Sequence, residues 1–395
     1  MTERRADPEI RLARSYLLRV AEPPAMALTA FIRVYGPVRA ARLVREGECP
    51  EAVLAETSAR RTLDRAKSDL AEAERNGARL VVPEDGEWPA WPLLPFDQVT
   101  QRGLRGFAPP IALWVRGDAR LDEAVMSAVA VVGARAATGY GEHTATEIAY
   151  GLAQRQMPVF SGAAYGIDGA AHRGALAAGG VTAAVLGCGL DAGYPAGHAG
   201  LLKKIAETGL VISEYPFGTP PARHRFLVRN RLIAGLTEGT VVVEAGVRSG
   251  ARNTATTAGV LGKVVMAVPG PIGSSMSAGC HQMIRESAAT LVGSLADVIE
   301  TVGKLDSSLA GRTPRPRRST DGLGEEAMRV HGALELRAGR SAEQITTESG
   351  VPIHRVRAVL PELELDGLAT RAEDGWRLTS RSRPVTPAGG GHQGQ

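Results

Sequence analysis

Six apolar runs recur through the middle of the chain, at residues 128–133 (AVAVVG), 158–162 (PVFSG), 181–187 (VTAAVLG), 209–213 (GLVIS), 240–245 (TVVVEA) and 263–269 (KVVMAVP). Each is too short for a helix core and apolar on both faces of an extended chain, and helix-compatible segments separate them. Strands with two buried faces that alternate with helices predict a parallel sheet covered by helices. Upstream, apolar positions keep helical spacing through ALTAFIRVYGPVRAARLV and AVLAETSARRTLDRAKSDLAEAE, so residues 1–75 are expected to form a small helical domain. Short strands and prolines follow over 76–125, where Trp88, Trp91 and Trp114 are expected to anchor the piece on a sheet domain spanning 76–300.

The pattern breaks at 301–322, where GKLDSSLAGRTPRPRRSTDG has the proline, serine and arginine content of a flexible linker. It recovers over 323–380. LGEEAMRVHGALELR reads as an amphipathic helix, and Ser341 to Gln344 has the spacing of a capping box that starts a second. Gly350 and Pro352 end that helix and open a third, and Asp374-Gly375 joins two short strand patterns as a hairpin turn. Three helices and a hairpin outline a winged helix. Its third helix would offer His354, Arg355 and Arg357 to DNA, with protein docking as the other use of such a module. Residues 381–395 have the composition of a disordered tail.

A chain of 395 residues exceeds one compact core, in keeping with this division. Aromatic residues make up only 4% against 47 glycines and 24 prolines, which suits an α/β architecture with tight loops. The net charge of +4 suits an anionic partner without requiring one. Three scattered cysteines (Cys49, Cys188 and Cys280) exclude a disulfide framework or a zinc site and read as reduced thiols. No apolar run is long enough to span a bilayer, so a soluble cytoplasmic protein without membrane contact is expected.

Ligands of a doubly wound sheet bind beyond the carboxyl ends of its strands, so the loops there carry the chemistry. After the first run, GARAATGYGEHTA sets Gly133, Gly139 and Gly141 in a strand-to-helix turn, but not at the GxGxxG spacing of a dinucleotide site. Arg135 points instead to a bare phosphate held by backbone N–H groups and a guanidinium. After the second run, Asp168 and His172 lie one helical turn apart, and a pair that fixes the loop is expected ahead of a catalytic one. After the fifth, Arg248, Ser249, Gly250, Arg252, Asn253 and Thr254 gather at a helix start. Donors of that kind without a nucleophile and base suit backbone recognition. The densest cationic stretch is RHRFLVRNR at 223–231, with Arg223, Arg225, Arg229 and Arg231, Asn230 among them and no acidic residue. It reads as a track for a row of phosphates. No nucleophile elbow, P-loop, HExxH or CxxC pair occurs, so no catalytic residue, metal or cofactor is expected.

The strings VVGARAATGYGEHTA, SGAAYGIDGAAHRGALAAGG, VLGCGLDAGYPAGHAGLL, SEYPFGTPPARHRFLVRNRLIAGLT, VVVEAGVRSGARNTA and AVPGPIGSSMSAGCHQMI, in this order over about 130–285, resemble the DNA-processing protein A family (DprA, also called Smf). The resemblance implies an extended Rossmann-like fold, a doubly wound parallel α/β sheet. An N-terminal helical domain like a sterile alpha motif and a C-terminal winged helix would flank it. It also implies a protein that binds single-stranded DNA without catalysis, protects incoming DNA and loads the RecA recombinase during natural transformation, usually as a homodimer. By position, Arg135 matches the arginine of the family's G-S-R turn, with Ala134 in place of the serine. Arg229, Asn230 and Arg231 match its RNR segment, and Ser249, Gly250 and Thr254 its SGS..TA loop. Tyr165 stands where the family often has arginine, Ala196 where it often has a basic residue, and His198 in place of an asparagine. Arg223, Arg225, Arg248 and Arg252 are expected to make up that charge. Gly133, Gly162 and Tyr165 complete the candidate DNA-binding set, with Tyr165 or Tyr194 as a base-stacking face. Two other readings remain. One is a Rossmann-type nucleotide phosphoribohydrolase, disfavoured because EAGVRSGARNTA lacks a PGGxGT-type helix start followed by a glutamate. The other is a DNA-binding regulator that acts through the winged helix.

Overall fold

The computed structural model describes residues 4–104, 106–303, 320 and 323–379. The linker expected at 301–322 falls almost wholly outside the described residues, and the tail at 381–395 entirely so. Two compact units emerge, Met1–Ala310 and Gly311–Gln395.

The first unit opens with five helices, α1 (Pro8–Val20), α2 (Met26–Tyr35), α3 (Pro37–Glu46), α4 (Glu51–Thr57) and α5 (Ala66–Arg75). Asp7 starts α1 by accepting the Glu9 N–H, with proline at the first helical position where no N–H is needed. Next come β1 (Ala78–Val81), α6 (Ala90–Gln101), β2 (Leu113–Arg116) and α7 (Leu121–Ala124). Strict alternation follows: β3 (Val129–Val132), α8 (Gly139–Gln154), β4 (Val159–Ser161), α9 (Ile167–Ala177), β5 (Thr182–Leu186), α10 (Ala199–Thr208) and β6 (Leu210–Ser213). It continues through α11 (Arg223–Gly235), β7 (Gly239–Val242), α12 (Gly250–Val260), β8 (Val264–Ala267), α13 (Ala278–Arg285), β9 (Thr290–Leu291) and α14 (Leu295–Val302). The six apolar runs of the sequence are β3 to β8.

These strands form one sheet in the order β1-β2-β6-β5-β4-β3-β7-β8-β9. The pairs β1–β2 and β2–β6 are antiparallel and all the others parallel. From β3 the chain steps through β4 and β5 to β6 on one side, then returns to β7 and moves to β8 and β9 on the other. The topological switch point therefore lies between β3 and β7, where the loops leaving the two strands diverge and open a crevice.

One face of the sheet, with Ala130 and Val132 of β3 and Val185 of β5, packs against Phe96 of α6 and Leu232 and Ile233 of α11. On the other, Val129 and Val131 meet Ile148 and Leu152 of α8 and Ile167 of α9. Further along that second face, Ala184 and Leu186 of β5 and Trp114 of β2 share a cluster with Tyr16 and Leu17 of α1 and Leu28 of α2. The N-terminal helices thus bury their apolar stripe against the sheet. Tyr16, Leu17 and Leu28 are fully buried in the cluster that the helices and the sheet share, and burial of a leucine stabilises the fold by about 1.5–3 kcal/mol. Arg19 adds a polar tie, pairing with buried Asp69 and donating to the Phe217 carbonyl at 2.9 Å. Of the three tryptophans expected to anchor residues 76–125, Trp114 is buried and Trp88 packs on the core. Trp91 does not anchor: it lies on the outer side of α6, 79% exposed.

The second unit holds α15 (Glu325–Gly332), α16 (Ala342–Ser349), α17 (Ile353–Leu365), β10 (Ala369–Ala372) and β11 (Gly375–Leu378). Ser341 and Gln344 form the reciprocal capping box, and Gly350 closes α16 in the left-handed region that its missing Cβ permits. The two strands pair as a hairpin with Ala372 opposite Gly375. Val330, Ile345, Val356 and Leu360 bind the helices into a core of their own, so the winged-helix outline is realised.

Candidate nucleic-acid interface

An open cleft of about 540 Å³ sits at the switch point, bordered by the turn after β3, the first half of α11 and the loop entering α12. Gly133, Arg135, Arg223, Arg229, Asn230, Arg248, Ser249, Gly250 and Thr254 all line it, so nine of the predicted residues converge. A narrow slot adjoins it, lined by Gly162, Tyr165, Tyr194 and Phe226. Arg225, Arg231 and Arg252 line neither.

The cations divide by burial. Arg135, Arg223 and Arg248 are exposed and make no ion pair among the described residues. The remaining three arginines of 223–231 work within the fold, which corrects the picture of a four-arginine track. Arg225 clasps Glu22 with its Nε at 2.7 Å and lies 5.3 Å from the Tyr215 ring centroid. Arg229 is 5% exposed and donates to the Gly162 carbonyl at 2.8 Å and to the Val185 carbonyl, joining the loop after β4 to the end of β5. Arg231 pairs with Glu214 at 2.7 Å, each side chain 3% exposed, and its guanidinium faces the Phe96 ring. The physical reason is helical geometry. Positions 229–231 fall where α11 has left the loop edge and runs over the sheet, so their cations need internal partners.

Polar side chains fix the neighbouring loops. Asn230 donates to the Gly250 carbonyl and to Asn253 Oδ1, both at 3.3 Å, which ties α11 to the start of α12. Ser249 caps α12 by accepting the Arg252 N–H, and buried Thr254 donates to the Gly250 carbonyl at 3.4 Å. Arg252 turns away to the Val247 carbonyl and Gln282 Oε1, at 2.8 and 2.9 Å. At Gly162 a Cβ would come within 2.3 Å of the Arg229 guanidinium, so only glycine lets that buried cation reach its carbonyl.

The turn after β3 differs from expectation. Two of its backbone N–H groups, those of Ala134 and Thr138, are already taken by buried Glu244, which follows β7 and sits at the α8 N-terminus. The Glu244 carboxylate accepts from Thr138 N at 2.9 Å and Thr138 Oγ1 at 2.6 Å, and its carbonyl accepts the Ala134 N–H at 2.8 Å. A carboxylate there supplies the negative charge that a helix N-terminus favours. Asp168 plays a similar part after β4, accepting the N–H groups of Gly162 at 3.1 Å and Ala164 at 3.4 Å. Burial pushes the Asp168 carboxyl up and the Arg229 guanidinium down, and the attraction between them limits both shifts. His172 bonds to Thr182 Oγ1 at 2.8 Å rather than to Asp168, and burial pushes its imidazole down to about 3.

Aromatic rings complete the cleft. Phe226 stacks on Tyr194 with centroids 5.2 Å apart and planes 27° from parallel, and the Arg135 guanidinium lies 5.5 Å from the Phe226 centroid. Tyr165 meets His198 edge-on at 4.7 Å, and its hydroxyl accepts the Gly197 N–H at 3.3 Å. Tyr165 and Tyr194 stay 49% and 36% exposed, enough to present ring surface. Sequence reasoning passed over Phe226 and Glu244. An aromatic between the basic residues of RHRFLVRNR signalled the first, and a lone carboxylate ending an apolar strand signalled the second.

The winged-helix unit is differently charged. Residues 323–379 hold ten carboxylates and seven arginines, and on α17 Arg355 pairs with Glu326 at 2.7 Å and Arg357 with Glu343 at 3.0 Å.

Fold and site together define a doubly wound α/β protein with a cationic, aromatic crevice at its switch point and a winged helix in the same chain. Residues 79–303 match the family model of DNA recombination-mediator protein A, and residues 314–375 that of the DprA winged helix domain. The chain belongs to this DNA-processing protein A family. It is 49% identical over 372 residues to a DNA processing protein DprA of Mycobacterium tuberculosis, covering 94% of this chain and 95% of that one. A DprA of Streptococcus pneumoniae is 43% identical over 190 residues, 48% of this chain and 66% of that one. The X-ray structure of DprA from Streptococcus pneumoniae superposes with a TM-score of 0.60 at 29% identity, covering 74% of this chain and 98% of that one.

Proposed function

We propose that this protein binds single-stranded DNA along the switch-point cleft without catalysing a reaction, protects it, and passes it to the RecA recombinase, acting as a cytoplasmic homodimer. The observation that carries the DNA reading is the convergence of three exposed, unpaired arginines (Arg135, Arg223 and Arg248) on an open cleft floored by the Tyr194–Phe226 stack. Separated cations suit a chain of phosphates, and exposed rings offer faces for unpaired bases. Protection, recombinase handover and dimerisation are the part of the proposal that rests on the family resemblance alone. The phosphoribohydrolase alternative loses ground, since Glu244 fills the helix N-terminus after β3 and Asp168 and His172 form no acid–base pair.

Fluorescence anisotropy with a labelled oligothymidylate tests the reading. Affinity is expected to fall steeply with salt, with a slope in log K against log salt of about −0.7 per phosphate contact. The triple variant Arg135→Gln, Arg223→Gln, Arg248→Gln should flatten that slope by about 2. A slope unchanged by the triple variant rejects the cleft. RecA ATP hydrolysis on DNA precoated with single-strand-binding protein reads the handover, which requires a shortened lag when this protein is present.

A further inference from the structure

We infer that Glu22, outside the cleft in the link between α1 and α2, is the positioning residue for the cleft wall formed by Arg223 and Phe226. The inference rests on the single-strand reading above. The Glu22 carboxylate gathers cations from two separate parts of the chain. Arg225 reaches it with two nitrogens, Nε to Oε1 at 2.7 Å and Nη2 to Oε2 at 3.2 Å. His224 Nε2 lies 3.3 Å from Oε1, and Arg60 Nη2 donates to Oε2 at 2.7 Å. Burial alone would raise the Glu22 carboxyl, but the Arg225 and Arg60 hydrogen bonds outweigh it and hold the group at about 2, ionised throughout the working range.

Apart from Glu22, the first turn of α11 is held by the Arg225 Nη1 bond to the Pro220 carbonyl at 2.7 Å and by the Phe226–Tyr194 stack. Its N-cap is Ala222, with no side-chain cap, whereas the second half of the helix is fixed by buried Arg229, Asn230 and Arg231. Within that turn the residues divide. His224 and Arg225 reach Glu22, and Arg223 and Phe226 line the cleft. Phe226 is also the middle member of the Arg135–Phe226–Tyr194 stack. One carboxylate, 203 positions away from Arg225 in sequence, therefore sets where one phosphate contact and one aromatic face stand.

The sign of the effect makes the inference testable. As a bare charge beside a DNA site, Glu22 repels phosphate, so Glu22→Gln would strengthen binding. As a positioning residue, its loss weakens binding. Oligothymidylate anisotropy on the full chain is expected to show affinity about fivefold lower for E22Q and a salt slope flatter by about 0.7, the change given by Arg223→Gln alone. The double variant E22Q/R223Q should show no further flattening. Glu22→Asp keeps the charge and is milder for folding, yet its shorter side chain cannot hold Arg225 and Arg60 together. It should lie between wild type and E22Q. Unchanged or higher affinity in E22Q, additive slopes in the double variant, or wild-type binding in E22D each overturn the inference. Failure of the single-strand reading is distinguishable, because wild type itself would then show no salt-dependent binding.

Discussion

Replacing Arg231 with methionine separates the two roles that its place in RHRFLVRNR allows. If Arg231 serves the fold, as its 2.7 Å pairing with Glu214 at 3% exposure indicates, the substitution leaves a carboxylate buried without its cation. That loss costs about 3–5 kcal/mol. For a unit of about 300 residues an unfolding entropy of roughly 2.1 cal/mol/K per residue converts this to a Tm lower by about 5–8 °C. The pair is also imperfect. Among the described residues Arg231 Nε and Nη1, Glu214 Oε2 and the Tyr215 hydroxyl are buried without hydrogen-bond partners. Such a pair returns little of its desolvation cost, so the double variant Glu214→Leu, Arg231→Met should regain most of the lost stability and finish within about 1–2 kcal/mol of wild type. Differential scanning fluorimetry and urea melts read stability, and oligothymidylate anisotropy at 15 °C reads binding, where the single variant should stay within about twofold of wild type. An R231M protein with unaltered Tm and a tenfold loss of affinity would refute the structural role. A double variant as unstable as the single one would refute the pairing.

Arg248→Gln should flatten the salt slope by about 0.7 and leave the Tm within about 1 °C, because the side chain is exposed and unpaired. His172 gives a pH signature. Burial first, then the charges of His198 and Arg229, lower its imidazole from 6.5 to about 3, so below 6.5 the unfolded chain takes up a proton that the folded chain refuses. Stability from this group is complete above 6.5 and falls as pH drops toward 3. Urea midpoints should trace that fall in wild type and less of it in His172→Gln. Gly166→Ala should destabilise by at least about 2 kcal/mol in urea titration, since φ is 72° and the new Cβ would lie 2.3 Å from the Ala134 carbonyl oxygen. A chain ending at residue 303 should keep its single-strand affinity, because every residue assigned to DNA binding precedes residue 255; a loss beyond about threefold would argue otherwise.

Local features were the legible ones. Strands β3 to β8 announce themselves because both faces are buried, which leaves an uninterrupted apolar run, whereas Thr290 and Leu291 of β9 are exposed and carry no such mark. The Ser341 capping box and the hairpin at Gly375 depend on residues three or four apart, so their chemistry is written in one place. The cleft was legible as a set of loops because strand ends and glycines locate it. The fate of each arginine was not. Arg225 is claimed by Glu22 and Arg229 by carbonyls of residues 162 and 185, partners that only the folded topology brings near. Helical periodicity in residues 1–75 likewise says that one face is buried, not that its cover is the sheet.

That shared core has a consequence for synthesis. Arg19 and its partner Phe217 stand 198 positions apart, an interval the ribosome needs about 10–40 s to translate at roughly 5–20 residues per second. For most of it Tyr16, Leu17 and Leu28 have emerged while Ala184 and Leu186 of β5, which share their cluster, have not. The N-terminal helices are thus left with part of their apolar surface uncovered over that interval, a natural point of engagement for chaperones.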